Sequence, residues 1–219
     1  QVPLARVPRR LLDLGECGRV VDLVSAADWS SDDVARNSAA LTQYLWLSGH
    51  PDRALELVER VRPRAPASHL LSYARANALR YCGRLQEATD EYEHCLRLKP
   101  DYALAHWSLA YHARSDRPGA RVDRIGRVLA DLRADDPDCA YLHYAMFKEL
   151  DDAGDTEGAW NSLSAGARSK RRSIRHDADR ERGGFEALHR IFAHGRVRNG
   201  PAAGKADHTP IFIVGLPRT

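Results

Sequence analysis

The sequence predicts an all-α fold, a superhelix of four to five helix pairs, followed near residue 210 by the first strand of an α/β domain. Three observations carry this expectation. Gly49, Ala54 and Pro66 recur as Gly83, Ala88 and Pro100, each shifted by 34 residues. Gly154 and Ala159 repeat the Gly83 and Ala88 marks 71 residues on, which is one repeat of 34 and one of 37. The run Pro210-Ile211-Phe212-Ile213-Val214 is short, continuous and β-branched, the pattern of a buried parallel strand rather than another helical turn.

Each recurring mark has a mechanical reason. A tight turn between antiparallel helices needs a residue tolerant of positive φ, and Gly49, Gly83 and Gly154 stand at that point. Ala54, Ala88 and Ala159 come early in the second helix, where a small side chain lets two helices approach closely. Pro66, Pro100 and Pro137 follow the second helix, which proline cannot continue. Between the marks the apolar residues keep helical spacing, as at Leu55, Val58 and Val61 and again at Tyr92, Cys95 and Leu96. The extra residues of the longer repeat fall around Asp116 to Arg121.

A 34-residue helix–turn–helix repeat with this punctuation resembles the tetratricopeptide repeat, over residues 35–170. The resemblance implies a right-handed superhelix whose first helices line a concave face. There are departures. Arg75 occupies a usually apolar position, Phe147 stands where a small residue is usual, and Arg117 replaces a turn glycine, with Gly119 two residues later. Residues 1–34 read as a degenerate N-terminal helix pair around Gly18, suited to a cap. On the concave face the repeat's register places Gln43, Trp46, Tyr73, Asn77, Arg80, Tyr81, Trp107, Tyr111, Arg114, Tyr144 and Lys148. Aromatic and Arg enrichment of this kind marks binding surfaces, here for an extended peptide, a partner protein or the chain's own catalytic domain. The same rings equally serve as packing between adjacent helices. The Lys/Asn/Arg set by which some tetratricopeptide domains clamp a C-terminal carboxylate is absent, which disfavours chaperone tails as ligands.

Composition narrows the function classes. Of the 219 residues, 43% are hydrophobic and 29% charged, as in a folded helical protein. A net charge of +3 is too weak to imply nucleic-acid binding. Cys17, Cys82, Cys95 and Cys139 form no CxxC pair, and the ten histidines no HExxH, so no metal site is expected. The cysteines read as small core residues in a reducing, cytoplasmic setting. No apolar run reaches the ~18 residues of a membrane span, and no leader pattern opens the chain. Both ends read as cut from a longer protein, because a chain ending at Thr219 leaves the apolar strand without partners.

Residues 171–208 form a basic connector. The run Arg168, Lys170, Arg171, Arg172 and Arg175 leads into it, and Asp177, Asp179, Glu181 and Glu186 offset part of the charge. Phe185, Leu188, Ile191 and Phe192 share one helical face, so Asp177 to Ala193 is expected to be a docked amphipathic helix. The basic run reads as a solvated face, or as a positive field that recruits a polyanion to a following domain.

Residues 209–219 carry the chemistry. A buried strand running into a glycine, a basic residue and a hydroxyl residue is how a phosphate-cradling loop begins. Pro210 to Thr219 resembles the opening of the sulfotransferase fold, whose first loop binds the 5′-phosphosulfate of 3′-phosphoadenylyl sulfate (PAPS). Leu142 to Asp155, Ala159 and Ser169-Lys170-Arg171 are similar to the last repeat of bacterial tetratricopeptide–sulfotransferase proteins. The resemblance implies that Gly215, Leu216, Pro217, Arg218 and Thr219 bind PAPS, with Arg218 neutralising charge on the bridging oxygen as sulfuryl moves to a hydroxyl acceptor. On this expectation the chain is the N-terminal region of a sulfotransferase and does not catalyse alone. Two alternatives stand beside it. One is a tetratricopeptide-fused P-loop nucleotidase, in which Gly215 opens Gly-x4-Gly-Lys-Thr; the other is a pure peptide-binding scaffold.

Overall fold

The computed structural model describes residues 5–65, 67–115, 117, 119–174 and 177–193. Eleven α-helices occur among them: α1 (Arg6–Asp13), α2 (Cys17–Ser25), α3 (Asp32–Leu47), α4 (Pro51–Val61), α5 (His69–Tyr81), α6 (Leu85–Leu98), α7 (Ala103–His112), α8 (Ala120–Asp131), α9 (Asp138–Ala153), α10 (Thr156–Ser173) and α11 (Ala178–Ala193). Residues Gln1–Ile174 make one unit and Arg175–Thr219 another. No strand occurs among the described residues; the strand expected at 210–214 lies outside them, as does Pro66.

Helix starts follow local chemistry. The Ser31 and Ser68 hydroxyls accept hydrogen bonds from the N–H groups of Val34 (3.3 Å) and Leu71 (3.2 Å), and the Asp155 carboxylate accepts from Gly158 (2.9 Å). Such caps satisfy amides that have no partner within the helix. Pro51 opens α4, where a missing N–H costs nothing.

One turn closes four of the pairs. Glu16 N–H donates to Leu11 C=O (2.9 Å), His50 to Leu45 (3.0 Å), Arg84 to Leu79 (2.9 Å) and Asp155 to Leu150 (3.0 Å). The residue before each donor is a glycine in the left-handed region, with φ of 75° at Gly15, 84° at Gly49, 75° at Gly83 and 82° at Gly154. The N-terminal pair therefore turns at Gly15, not at the expected Gly18, which lies inside α2. Gly15 precedes Gly49 by 34 residues, so the repeat period reaches closer to the N-terminus than its other marks indicated. The α7–α8 connection is the exception. Ala113 stands in extended backbone after α7, and Gly119, φ 91°, precedes α8 directly, so the extra residues lengthen the link between the two helices.

Packing is that of a solenoid of five pairs in the first unit. Except in α7 and α8, the helices of a pair lie against each other, as in α3 with α4, α5 with α6 and α9 with α10. First helices stack on first helices (α3 on α5, α7 on α9), and each second helix leans on the next first helix (α4 on α5, α6 on α7, α8 on α9). Ala54, Ala88 and Ala159 are buried at the close approaches, as their spacing predicts. Leu57, Leu79, Leu109 and Leu142 are fully buried between layers, each contributing about 1.5–3 kcal/mol. Cys95 is buried too, its thiol turned to the His69 carbonyl at 3.2 Å.

Arg75, unexpected at an apolar position, joins three helices by charge. Its guanidinium lies 2.7 Å from Glu59 of α4 and 2.7 Å from Glu91 of α6. The Glu91 side chain is 6% exposed and also faces Arg62 at 3.6 Å. A second network joins α6, α8 and α9: Arg121 pairs with Glu149 at 3.0 Å and Arg124 with Glu93 at 2.7 Å.

In the second unit, α11 forms where expected, but none of its residues is buried. Phe185, Leu188, Ile191 and Phe192 are exposed on it. No helix of the described residues is long and apolar enough to cross a membrane.

Truncating one member of the Arg75–Glu91 pair strands a buried charge. Glu91→Ala is expected to cost about 3 kcal/mol, whereas Arg75→Met with Glu91→Leu should recover most of that loss. Urea denaturation of both variants checks this; equal losses in the two would contradict it.

Candidate interaction face

The residues predicted to share one face divide into two surface patches and a buried centre. In the first patch the Trp46 ring, near the end of α3, stacks on Tyr81, the last residue of α5, with centroids 4.7 Å apart and planes 17° apart. Tyr81 remains 53% exposed, and the Arg80 guanidinium lies 5.9 Å from its ring centroid. The indole N–H of Trp46 has no hydrogen-bond partner among the described residues. Gln43, one turn earlier on α3, is exposed.

The centre is filled by structure. Tyr73 packs edge-on to Tyr102 at 5.3 Å and tilts against Tyr92 at 6.0 Å. Its hydroxyl is hydrogen-bonded to Ser108 of α7 at 3.0 Å. Asn77 is buried; its amide donates to the Tyr73 carbonyl (3.0 Å) and its oxygen accepts from the Tyr92 hydroxyl (2.9 Å). Burial holds the Tyr92 phenol well above its ordinary range, so it stays a neutral donor. Tyr73 and Asn77 thus tie α5 to α6 and α7.

The second patch lies on α7 and α9. Trp107 meets Tyr111 at 5.6 Å and Tyr141 at 6.0 Å. Tyr111 is 42% exposed, and burial of the rest, then Tyr144 and Asp151, raises its phenol. Arg114 donates to the Asp152 carbonyl while Lys148 pairs with the Asp152 carboxylate, which brings two cations to one residue of α9. Tyr144 turns toward its own pair. A Cβ added to Gly166 of α10 would come within 3.0 Å of the Tyr144 ring, so that glycine is needed for the approach. Gly215, Leu216, Pro217, Arg218 and Thr219 lie outside the described residues.

Tyr141, absent from the predicted set, belongs to the second patch, with the Lys170 ammonium 5.7 Å from its ring centroid. Its spacing of three residues from Tyr144 places both on neighbouring positions of one helix face and was the available signal.

Comparison with solved structures identifies the fold. The chain is similar to a Podosopora anserina protein of the kinesin light chain type with nearly identical TPR-like repeats: 16% identity, 79% of this chain and 96% of the other, TM-score 0.60. It is also similar to MamA, at 12% identity over 76% of this chain and 96% of that one, TM-score 0.55. At these identities the likeness is one of fold. No protein-family model and no curated protein matches the chain.

The division into patches and centre has a thermodynamic signature. Tyr73→Ala removes packing and a hydrogen bond at once and is expected to cost about 3 kcal/mol. Tyr81→Ala removes one half-exposed ring and should cost about 1 kcal/mol or less. Denaturation midpoints in the opposite order would refute the division.

Proposed function

We propose that this chain is a protein-interaction scaffold that takes an extended segment of a partner protein along the face built by its first helices. The observation that supports this most directly is the pair of aromatic patches, Tyr81 on Trp46 with Arg80 over the Tyr81 ring, and Tyr111 beside Trp107 and Tyr141 with Lys170 over the Tyr141 ring. Rigid, partly desolvated rings next to Arg are the anchors that dominate binding surfaces. The TPR-like fold points the same way, since a solenoid offers successive helices as one continuous surface. In this reading the pairs wind into a right-handed superhelix and the face is concave. Tyr73 and Asn77 form its floor rather than its contacts.

The test is selection of peptides from a random display library against the 219-residue chain, with affinities measured by calorimetry. Tyr81→Ala and Trp107→Ala should each weaken the selected peptides at least tenfold. Arg97→Ala, exposed on a second helix, should leave them unchanged. Failure to enrich any peptide, or equal affinity for the three variants, would remove the proposal.

A second reading concerns a longer protein and rests on sequence alone. The run Pro210 to Thr219 supports the repeats forming the N-terminal region of a cytoplasmic, PAPS-dependent sulfotransferase. Gly215, Leu216 and Thr219 would hold the phosphosulfate through backbone amides and the Thr219 hydroxyl, Pro217 would line the same loop without donating, and Arg218 would stabilise the developing charge. Here the face of the first helices selects the sulfate acceptor or docks the catalytic domain. Calorimetry of the full-length protein with 3′-phosphoadenosine 5′-phosphate is expected to give saturable binding that Arg218→Ala abolishes. No binding, or binding indifferent to Arg218→Ala, would exclude this reading and leave the scaffold.

A further inference from the structure

Two corners of the solenoid are built alike: α4, α5 and α6 form one, α8, α9 and α10 the other. Ser68 and Ser72 stand as far ahead of the turn glycine Gly83 as Cys139 and His143 stand ahead of Gly154. The two corners differ in charge and in filling. In the first, Val58, Ser72, Arg62, Arg75 and Glu91 close on one another at the base, and the outer part, an open cleft of about 300 Å³, carries the carboxylates of Glu87, Asp90 and Glu91 opposite its guanidinium groups. Both guanidinium groups there are answered by the Glu91 carboxylate, at 3.6 and 2.7 Å.

The second corner is open and has no such answer. Leu129 and Leu132 of α8, Cys139 and His143 of α9, and Arg168 and Arg172 of α10 line a cleft of about 310 Å³, with Ser169 and Ala165 completing its wall. Among the described residues no carboxylate lines it. Arg172 donates to the Ala134 carbonyl at 2.8 Å, and neither it nor Arg168 has an ion-pair partner among the described residues. The nearest acids, Asp136 and Asp138, act at the Cys139 end, where burial and then Asp136 hold the thiol above its ordinary range. His143 is held below the ordinary imidazole range by burial, then by Arg168 and Arg172. Two unanswered guanidinium groups beside an apolar wall make a cleft with a charge deficit. A guanidinium pair takes oxyanions by fork-shaped, charge-assisted hydrogen bonds.

We propose that this cleft binds a small organic anion, its oxygens held by Arg168 and Arg172 and its apolar body lying on Leu129 and Leu132. The ligand supplies the charge that Glu91 supplies at the other corner. The volume suits a compact molecule, being at the lower end of small-ligand sites. Phosphate and carboxylate share the required chemistry, and the Ser169 hydroxyl, on the same wall, is within the set of donors for either. The cleft shares no residue with the aromatic patches, so its fate is independent of theirs.

The experiment titrates the 219-residue chain with phenyl phosphate, benzoate and inorganic phosphate, reading binding by calorimetry and the His143 imidazole by NMR. Phenyl phosphate or benzoate should bind saturably, and more tightly than inorganic phosphate, which leaves the apolar wall uncovered. Preference for the first assigns a phosphate ligand; preference for the second assigns a carboxylate. Arg168→Gln and Arg172→Gln should each weaken binding at least tenfold. Arg168 is exposed and without a hydrogen bond among the described residues, so its replacement should leave the denaturation midpoint in place. The charged groups facing His143 are Arg168 and Arg172, since α8 contributes only Leu129 and Leu132, so a bound anion must raise the His143 pKa. Absence of saturable binding by both aromatic anions overturns the proposal. So does binding that survives both substitutions, or that leaves the His143 titration where it was.

Discussion

Each helix pair of this chain has more apolar surface than its two helices can cover, so the next pair must be placed against it. The turn makes that placement repeatable. A single bond from the residue after a left-handed glycine to a leucine carbonyl recurs at Leu11, Leu45, Leu79 and Leu150, and it sets the same antiparallel approach each time. With the approach constant, Ala54, Ala88 and Ala159 can remain small and Leu57, Leu79 and Leu142 can fill the space between layers. Where the turn is lengthened, between α7 and α8, the neighbours take over. Helix α7 packs on α6 and α9, and Arg121 and Arg124 fasten α8 through Glu149 and Glu93.

Charge is handled corner by corner. A buried guanidinium is tolerable only beside a carboxylate, because desolvation of a lone ion costs several kcal/mol. At Arg75 that carboxylate is Glu91, and the base of the corner is closed. At Arg168 and Arg172, both exposed, no carboxylate among the described residues lines the corner. One architecture therefore contains a self-neutralised corner and an unneutralised one, and the contrast gives the cleft its meaning.

The aromatic residues divide according to depth. Tyr73, Tyr92 and Asn77 are bound to one another and to Ser108, so they hold helices together. Tyr81 and Tyr111 keep about half of their surface, and a neighbouring Trp supports each ring on one side. A ring held this way loses little further freedom when a partner covers it, which is what makes it an effective anchor.

Much of this was legible from spacing. Glycine, alanine and proline at a 34-residue period specified helix pairs, their turns and their close approaches, because each rests on local backbone geometry or on a side chain too small to intrude. The left-handed turn at Gly15 carried the same period but lacked the alanine and proline beside it, and so passed unread. The interaction face was legible only as a set of positions. A helical register says which way Tyr73 and Tyr81 point, and not that Ser108 and Tyr102 close over one while the other stays open. Likewise Arg75 looked misplaced until Glu59 and Glu91 arrived from other helices to meet it, and Arg168 looked like one charge among many. The sequence by itself determined the repeat, its turns and its small-residue contacts, all of which depend on neighbours along the chain. Tertiary structure alone decided which of the buried rings and charges are satisfied, because their partners come from residues 15 to 38 positions away and the cost of burial depends on whether those partners are present.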